Sequence, residues 1–283
     1  MSISSSAVLA KLTINVWTAN KLDKKATDAV ITTNGATEKA AQVHKNLMAG
    51  THLRKDIADY AAECRNWHYG WTLGWEDRGS RLLPTSLFLD YKAQLNVRRA
   101  TFYDMANKFC DNYDGHVQIA RNYLGALFNP DDYPTADEVR NKFAFQLVFN
   151  PVPESGHFLL DIPAQELEET KRSCEQEIES RLNTAMRGAW DKLHTMLVGM
   201  SDKLTESDED TKRRWHDSFV TNAREMCRML SHLNITKDPE LEKARRALEQ
   251  VMVGADIEVI KESEAVRQNM KSKVDSILKQ FEW

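Results

Sequence analysis

The chain has 283 residues, 42% of them apolar and 28% charged, and a formal net charge of −4, which fits a folded, soluble protein with one large core or two modest ones. No apolar run reaches the roughly 18 residues of a membrane span, and the N-terminus lacks the basic region and long apolar core of a secretory signal, so a cytoplasmic protein is expected. Residues 1–162 carry 18 basic and 18 acidic side chains and residues 163–283 carry 20 and 24, so neither part has the basic excess of a phosphate binder.

In chain order, Lys11 to Trp17 alternates Leu12, Ile14 and Val16 against Lys11, Thr13 and Asn15, the period of a half-buried strand. Thr37 to about Asn66 has helical spacing with a break at Gly50, and its second piece places Leu53, Ile57, Tyr60 or Ala61, and Cys64 on one face. Trp67 to Pro84 reads as a loop. A helix over about Thr85 to Asn112 turns Leu87, Tyr91, Leu95, Phe102, Met105 and Phe109 inward, and another over Val117 to Phe128 stops at Asn129-Pro130. Thr135-x-x-Glu138 is a capping box that opens a short helix. Phe143, Phe145, Leu147 and Phe149 alternate with Ala144, Gln146 and Val148 as a second strand, and His157 to Asp161 is a candidate third.

From Ala164 onward the chain holds one of its seven prolines and three of its eleven glycines, so this part is expected to be helical almost throughout. Leu167, Cys174, Ile178, Leu182, Ala185, Ala189, Leu193, Met196, Met200 and Leu204 recur at threes, fours and sevens, which predicts one helix of about 40 residues. Glu206 to Asp210 turns the chain. Trp215, Phe219, Ala223, Cys227 and Leu230 line the return helix, and Asp238 with Pro239 starts the next as N-cap and first helical residue. A last helix carries Ile257, Ile260, Met270, Val274, Ile277 and Phe281. The expected fold is α+β and predominantly helical. A mixed head over residues 1–162 holds a small sheet, and an all-helical arm over 163–283 forms an antiparallel hairpin or bundle.

Catalytic signatures are missing. No Gly-x-Ser-x-Gly elbow, phosphate-cradling glycine loop, Cys-x-x-Cys pair or His-x-x-x-His spacing occurs, so no catalytic residue, no metal and no cofactor is expected. Cys64, Cys110, Cys174 and Cys227 read as small buried hydrophobes, and Met186, Met196, Met200, Met226, Met229 and Met270 as adaptable core. Lys212-Arg213-Arg214, Arg245-Arg246 and Lys271-x-Lys273 each neighbour acids at helical distance, so ion pairs are expected there.

The segment Trp67 to Arg81 concentrates three tryptophans, a tyrosine, three glycines and two arginines. Aromatic faces beside guanidinium groups can anchor a protein partner or stack nucleobases. They can equally pin a loop to the core, with Arg78 and Arg81 paired to Glu76 and Asp77. Trp71, Trp75, Arg78 and Arg81 are the candidate partner-binding residues. For single-stranded nucleic acid the set is Trp71, Trp75, Arg98, Arg99, Lys212, Arg213 and Arg214.

Several strings carry a resemblance: Gly79-x-Arg81-Leu-Leu-Pro84, Asp132-Tyr-Pro134, Phe149-x-Pro151-Val-Pro153, Asp217-Ser-x-Val220-x-Asn222-x-Arg224-Glu225 and Leu233-Asn-Ile-Thr236-x-Asp238-Pro-Glu-Leu241. In that order they are similar to an uncharacterised domain-of-unknown-function family of tailed phages and some bacteria, over residues from about 8 to the end. Members are often encoded beside a MoxR-type AAA+ ATPase and a von Willebrand A-type protein. The resemblance implies a component of an ATP-driven remodelling system, located in the host cytoplasm if phage-encoded, and supplies no catalytic residues. Together these readings predict a non-enzymatic interaction or adaptor protein that self-associates and works with an ATPase. The alternative is a single-stranded nucleic-acid binder.

Overall fold

The computed structural model describes residues 3–77, 79–154, 164–205, 218–281 and 283. The chain opens with α1 (Ile3–Ser6), β1 (Ala7–Asn15), β2 (Asn20–Leu22), α2 (Lys24–Thr33) and β3 (His44–Asn46). Next come α3 (Leu53–Trp71), β4 (Leu73–Gly74), β5 (Arg81–Pro84), α4 (Phe88–Asp111) and α5 (Tyr113–Leu124). After α6 (Ala136–Arg140) and β6 (Ala144–Pro151), the chain is helical through α7 (Ala164–Thr205), α8 (Ser218–Leu233), α9 (Pro239–Val251), α10 (Ile257–Glu262) and α11 (Glu264–Gln280). The fold is therefore α+β and mostly helical, as the periodicity predicts. One sheet runs β4-β5-β1-β6, and β2 pairs with β3. The β1–β5 pairing is antiparallel, with Ala7 opposite Pro84 and Ala10 opposite Arg81.

These residues pack as two compact units. Unit 1 comprises Met1–Lys11, Tyr69–Tyr91 and Val148–Trp283, and unit 2 comprises Leu12–His68 and Lys92–Leu147. Residues 163–283 thus share their unit with two earlier stretches of chain.

Unit 2 is organised by rings. Phe102 packs against Phe145 at 5.6 Å and Phe143 at 6.4 Å, while Trp17 meets Phe109 at 6.3 Å and Tyr113 at 6.0 Å. Such pairs contribute about 0.5–1.5 kcal/mol each beyond their buried area. His116 stacks on Phe109 at 5.1 Å, and Thr51 lies 3.4 Å from its Nδ1. Lys45, on β3, is 8% exposed. Its ammonium lies 3.2 Å from Asp23 and 2.5 Å from Asp132, and donates to the Leu127 carbonyl at 2.9 Å. The hydrogen bond to Asp132, joined by that to Asp23, holds the amine above the usual lysine range despite its burial. Asp23 also caps α2 by accepting from the Ala26 N–H at 3.0 Å.

Several elements differ from expectation here. The helical reading of Thr37 to Asn66 holds only from Leu53, because residues 37–52 form turns and β3. Gly50 has φ +82°, and a Cβ on it would lie 2.4 Å from a Tyr123 ring carbon, so the chain at this point is a close-packed turn. The α2 helix was not expected; its apolar face is thin and none of its residues is buried. The expected loop at Trp67 is the last turn of α3. Ile57, Ala61, Cys64, His68 and Trp71 are all buried at spacings of four and three, so the apolar stripe continues through Trp71. Leu87, Tyr91, Leu95, Phe102 and Phe109 of the following helical stretch are buried as expected, and Met105 is half-buried. The Thr135–Glu138 capping box forms in full.

Unit 1 is built on α7, whose 42 residues match the predicted length. Trp190 of α7 contacts Phe281 at 6.0 Å, and Ser201 hydrogen-bonds Asp275 at 2.5 Å, so α11 runs antiparallel to α7. Cys227 approaches the Arg245 carbonyl, and Arg224 donates to the Met252 and Ala255 carbonyls, which sets α9 antiparallel to α8. Leu193, Leu197, Leu204, Leu230, Leu241 and Leu248 form the dry centre of this bundle. Asp238 closes the α8–α9 corner by receiving the Glu240 and Leu241 N–H groups and the Trp190 indole N–H, with Pro239 at the first helical position. Of the expected ion pairs, those of Arg245 and Arg246 with Glu242 and of Lys271 with Asp275 form, while Lys212-Arg213-Arg214 lies outside the described residues. The hydrogen bond from Arg245, reinforced by Arg246, draws the Glu242 carboxyl down to about 2. The candidate strand His157–Asp161 and the turn at Glu206–Asp210 lie outside the described residues.

Candidate functional site

The Trp-rich segment in unit 1 is knitted to cations of the same unit. Trp71 and Trp75 are 7% and 6% exposed. The Arg228 guanidinium lies 5.9 Å from the Trp71 ring centre, and Trp71 also meets Tyr91 at 6.2 Å. Arg181 lies 5.9 Å from the Trp75 ring and 4.0 Å from Glu76. Glu76 in turn accepts from the Ser80 N–H, and a Cβ on Gly79 would meet the Glu76 carboxylate, so a larger residue there would displace that side chain. The indole faces are therefore enclosed by protein, and neither is open to a base or a docking partner. Arg78 lies outside the described residues.

Arg81 is half-buried. Its Nε donates to Thr72 Oγ1 at 2.7 Å and its Nη2 to the Thr72 carbonyl at 3.1 Å, while the guanidinium lies 4.8 Å over the Tyr69 ring. The remaining candidates for nucleic acid belong to α4 of unit 2. Arg98 lies 4.6 Å over the Trp67 ring, and Arg99 is exposed and bonded to Asn96. Lys212, Arg213 and Arg214 lie outside the described residues.

Sequence reasoning missed a second feature of unit 1. A groove of about 520 Å³ runs between α7 and α8, within the range of about 300–1,000 Å³ that holds small ligands. Met196, Met200, Phe219 and Met226 give it an apolar wall, and Gly199 leaves room on the α7 side. Of the methionines expected in the core, Met186, Met200, Met229 and Met270 are buried, but Met196 and Met226 are only half-buried and line this groove. Lys192 and Lys203 stand along it, separated by about 16 Å of helix. The Lys192 ammonium donates to the Tyr69 carbonyl at 2.6 Å. Burial, aided by the nearby Arg81 charge, brings this amine down to about 8. The signal for it was faint: Lys192 is spaced three and four residues from Ala189 and Met196, on the edge of the apolar stripe.

Chemically, the groove offers cations and an apolar wall, and among the described residues that line it no nucleophile is paired with a base. Burial pushes the Cys227 thiol up to about 11, far from the thiolate form a nucleophile requires. Among the described residues, no group of three or more His, Cys, Asp or Glu side chains could hold a metal ion, and no helix is long and apolar enough to cross a membrane. Cys64, Cys110 and Cys227 are buried, whereas Cys174 is half-buried. No protein-family model matches the chain, no curated protein matches it in sequence, and no solved structure matches it in fold.

Proposed function

We propose that this chain is a non-enzymatic interaction protein that associates with a second copy of itself and serves as an adaptor for an ATPase partner. One observation carries the reading. Residues 165–184 of α7 include no fully buried side chain, although Leu167, Cys174, Ile178 and Leu182 lie half-buried on one stripe at spacings of seven and four. Farther along the same helix, Ala185, Ala189, Leu193 and Leu197 are fully buried. A half-covered heptad stripe gains from a second helix laid along it, because the residual apolar area is then removed from water.

Light scattering over a concentration series tests this. The expected mass exceeds the 32.5 kDa of one chain and falls to it in Ile178→Glu. A concentration-independent monomer overturns self-association. Cys174 supplies an independent readout, because the other three cysteines are buried. Mild oxidation should cross-link copies through Cys174 alone. The ATPase half of the proposal rests on the phage-family resemblance, and a MoxR-type AAA+ protein should co-elute with the chain in the presence of ATP. A labelled single-stranded oligonucleotide at low salt tests the rival reading, whose affinity would fall steeply as salt is added.

A further inference from the structure

Lys192 and Arg81 converge on one residue of unit 1. Lys192 Nζ sits on the Tyr69 carbonyl at 2.6 Å, and the Arg81 guanidinium sits 4.8 Å over the Tyr69 ring. Among the described residues neither cation has a carboxylate within ion-pair distance. Asp191, the one acid among the described residues of the groove wall, forms no ion pair with Lys192. Two partly desolvated like charges held together without a counter-charge are costly, and both amine and guanidinium are shifted toward their neutral forms, mainly by burial. Each also keeps unused donors. Lys192 commits one of three N–H groups to Tyr69, and Arg81 commits two of five to Thr72. Lys192 lines the same groove as Met196, Met200, Phe219 and Met226, so its stem and its ammonium combine an apolar and a charged surface at one place.

We propose that the α7–α8 groove of unit 1 binds a small amphiphile with a carboxylate head and an unbranched apolar chain, the head on Lys192 with Arg81 behind it and the chain along the methionine wall. A carboxylate supplies the missing counter-charge and accepts the spare N–H donors. Flexible thioether side chains mould to an alkyl chain without needing a fixed shape. The site is separate from the stripe at residues 165–184, so its success or failure leaves the self-association proposal untouched.

The probe is dodecanoate, titrated below its self-aggregation concentration into the full chain carrying 13C-methyl methionine. Dodecanol and dodecyltrimethylammonium serve as the uncharged and cationic comparators. Met196, Met200 and Met226 methyl resonances should shift on saturable binding, while Met186 and Met270 stay in place. Dodecanol and the cationic amphiphile should bind at least about tenfold more weakly, the worth of one charge-assisted hydrogen bond. Lys192→Met should bring dodecanoate down to the affinity of dodecanol and leave dodecanol unchanged, and Lys192→Gln serves the same purpose if the first variant folds poorly by circular dichroism. Binding at pH 8.5 should draw a proton from buffer as the amine is recharged, read as a dependence of the calorimetric heat on buffer ionisation. Equal affinity for dodecanoate and dodecanol, shifts confined to other methionines, or wild-type dodecanoate binding by folded Lys192 variants would each overturn the proposal, as would no saturable binding at all.

Discussion

In unit 2 the interior is ring against ring, with Trp17, Phe102, Phe109, Tyr113, Phe143 and Phe145 in mutual contact, and it also takes in the ammonium of Lys45 and the imidazole of His116. Arg98 Nε, Tyr113 Oη, His116 Nε2 and Tyr133 Oη are buried there without a hydrogen-bond partner in the protein. The bundle of unit 1 is filled mainly by aliphatic side chains and methionine, with few rings such as Phe219, and its charges mostly lie along helix surfaces as pairs such as Arg245–Glu242. Rings and desolvated dipoles have narrow geometric optima, whereas aliphatic chains repack at small cost. Unit 2 is accordingly built for one arrangement, whereas the bundle of unit 1 tolerates repacking.

Four measurements sharpen or break that contrast. The largest effect is expected from Phe102→Ala, which empties the centre of the ring cluster and should cost about 3–5 kcal/mol in denaturant unfolding. Leu197→Met in the bundle should cost less than about 1.5 kcal/mol, since volume is kept and an unbranched chain can find a new rotamer. If the methionine variant loses as much as the alanine one, the bundle is as exacting as the ring cluster and the contrast fails. Thr135→Ala removes the hydroxyl that accepts from the Glu138 N–H and should cost about 1 kcal/mol by the same assay. That loss tests whether a short surface helix of unit 2 is held by its cap.

The smallest effect is a pH slope. Burial, with a contribution from His52, holds His116 below its ordinary value. The unfolded chain therefore binds a proton near pH 6.5 that the folded chain does not take up until lower pH. Stability is full above about pH 6.5 and declines as pH falls through the interval below it. His116→Gln should flatten that decline, and an unchanged acid slope would show that the imidazole is not the group responsible.

How far these features were legible depends on where each signal resides. The α7 helix, the Thr135 capping box, the Asp238-Pro239 start and the strand around Phe145 are all specified within a few residues of themselves, by periodicity or by cap chemistry. The turn through Gly50 was not, because its conformation is dictated by Tyr123 from a distant part of the chain. Trp67 to Trp71 looked like loop because tryptophan, tyrosine and glycine weaken helix propensity, yet the buried stripe from Ile57 onward overrides that preference. Lys192 shows the same limit at the candidate site. A lysine on a long helix reads as solvated, and its altered character comes from Arg81, Tyr69 and the facing wall of α8, none of which is near it in sequence.

The division of the chain into its two units also bears on how the protein is made. Every residue of unit 2 has been synthesised once Leu147 is added, whereas unit 1 needs the stretch Val148–Trp283 to join Met1–Lys11 and Tyr69–Tyr91. On the ribosome the aromatic unit can therefore mature first, while unit 1 is completed only when the last helices have been made. During that interval Ala7 to Ala10 can already pair with Arg81 to Pro84, and Arg81 and Leu82 with Gly74 and Leu73, a small ribbon whose edges are open to wrong pairing until the helices of unit 1 have been made.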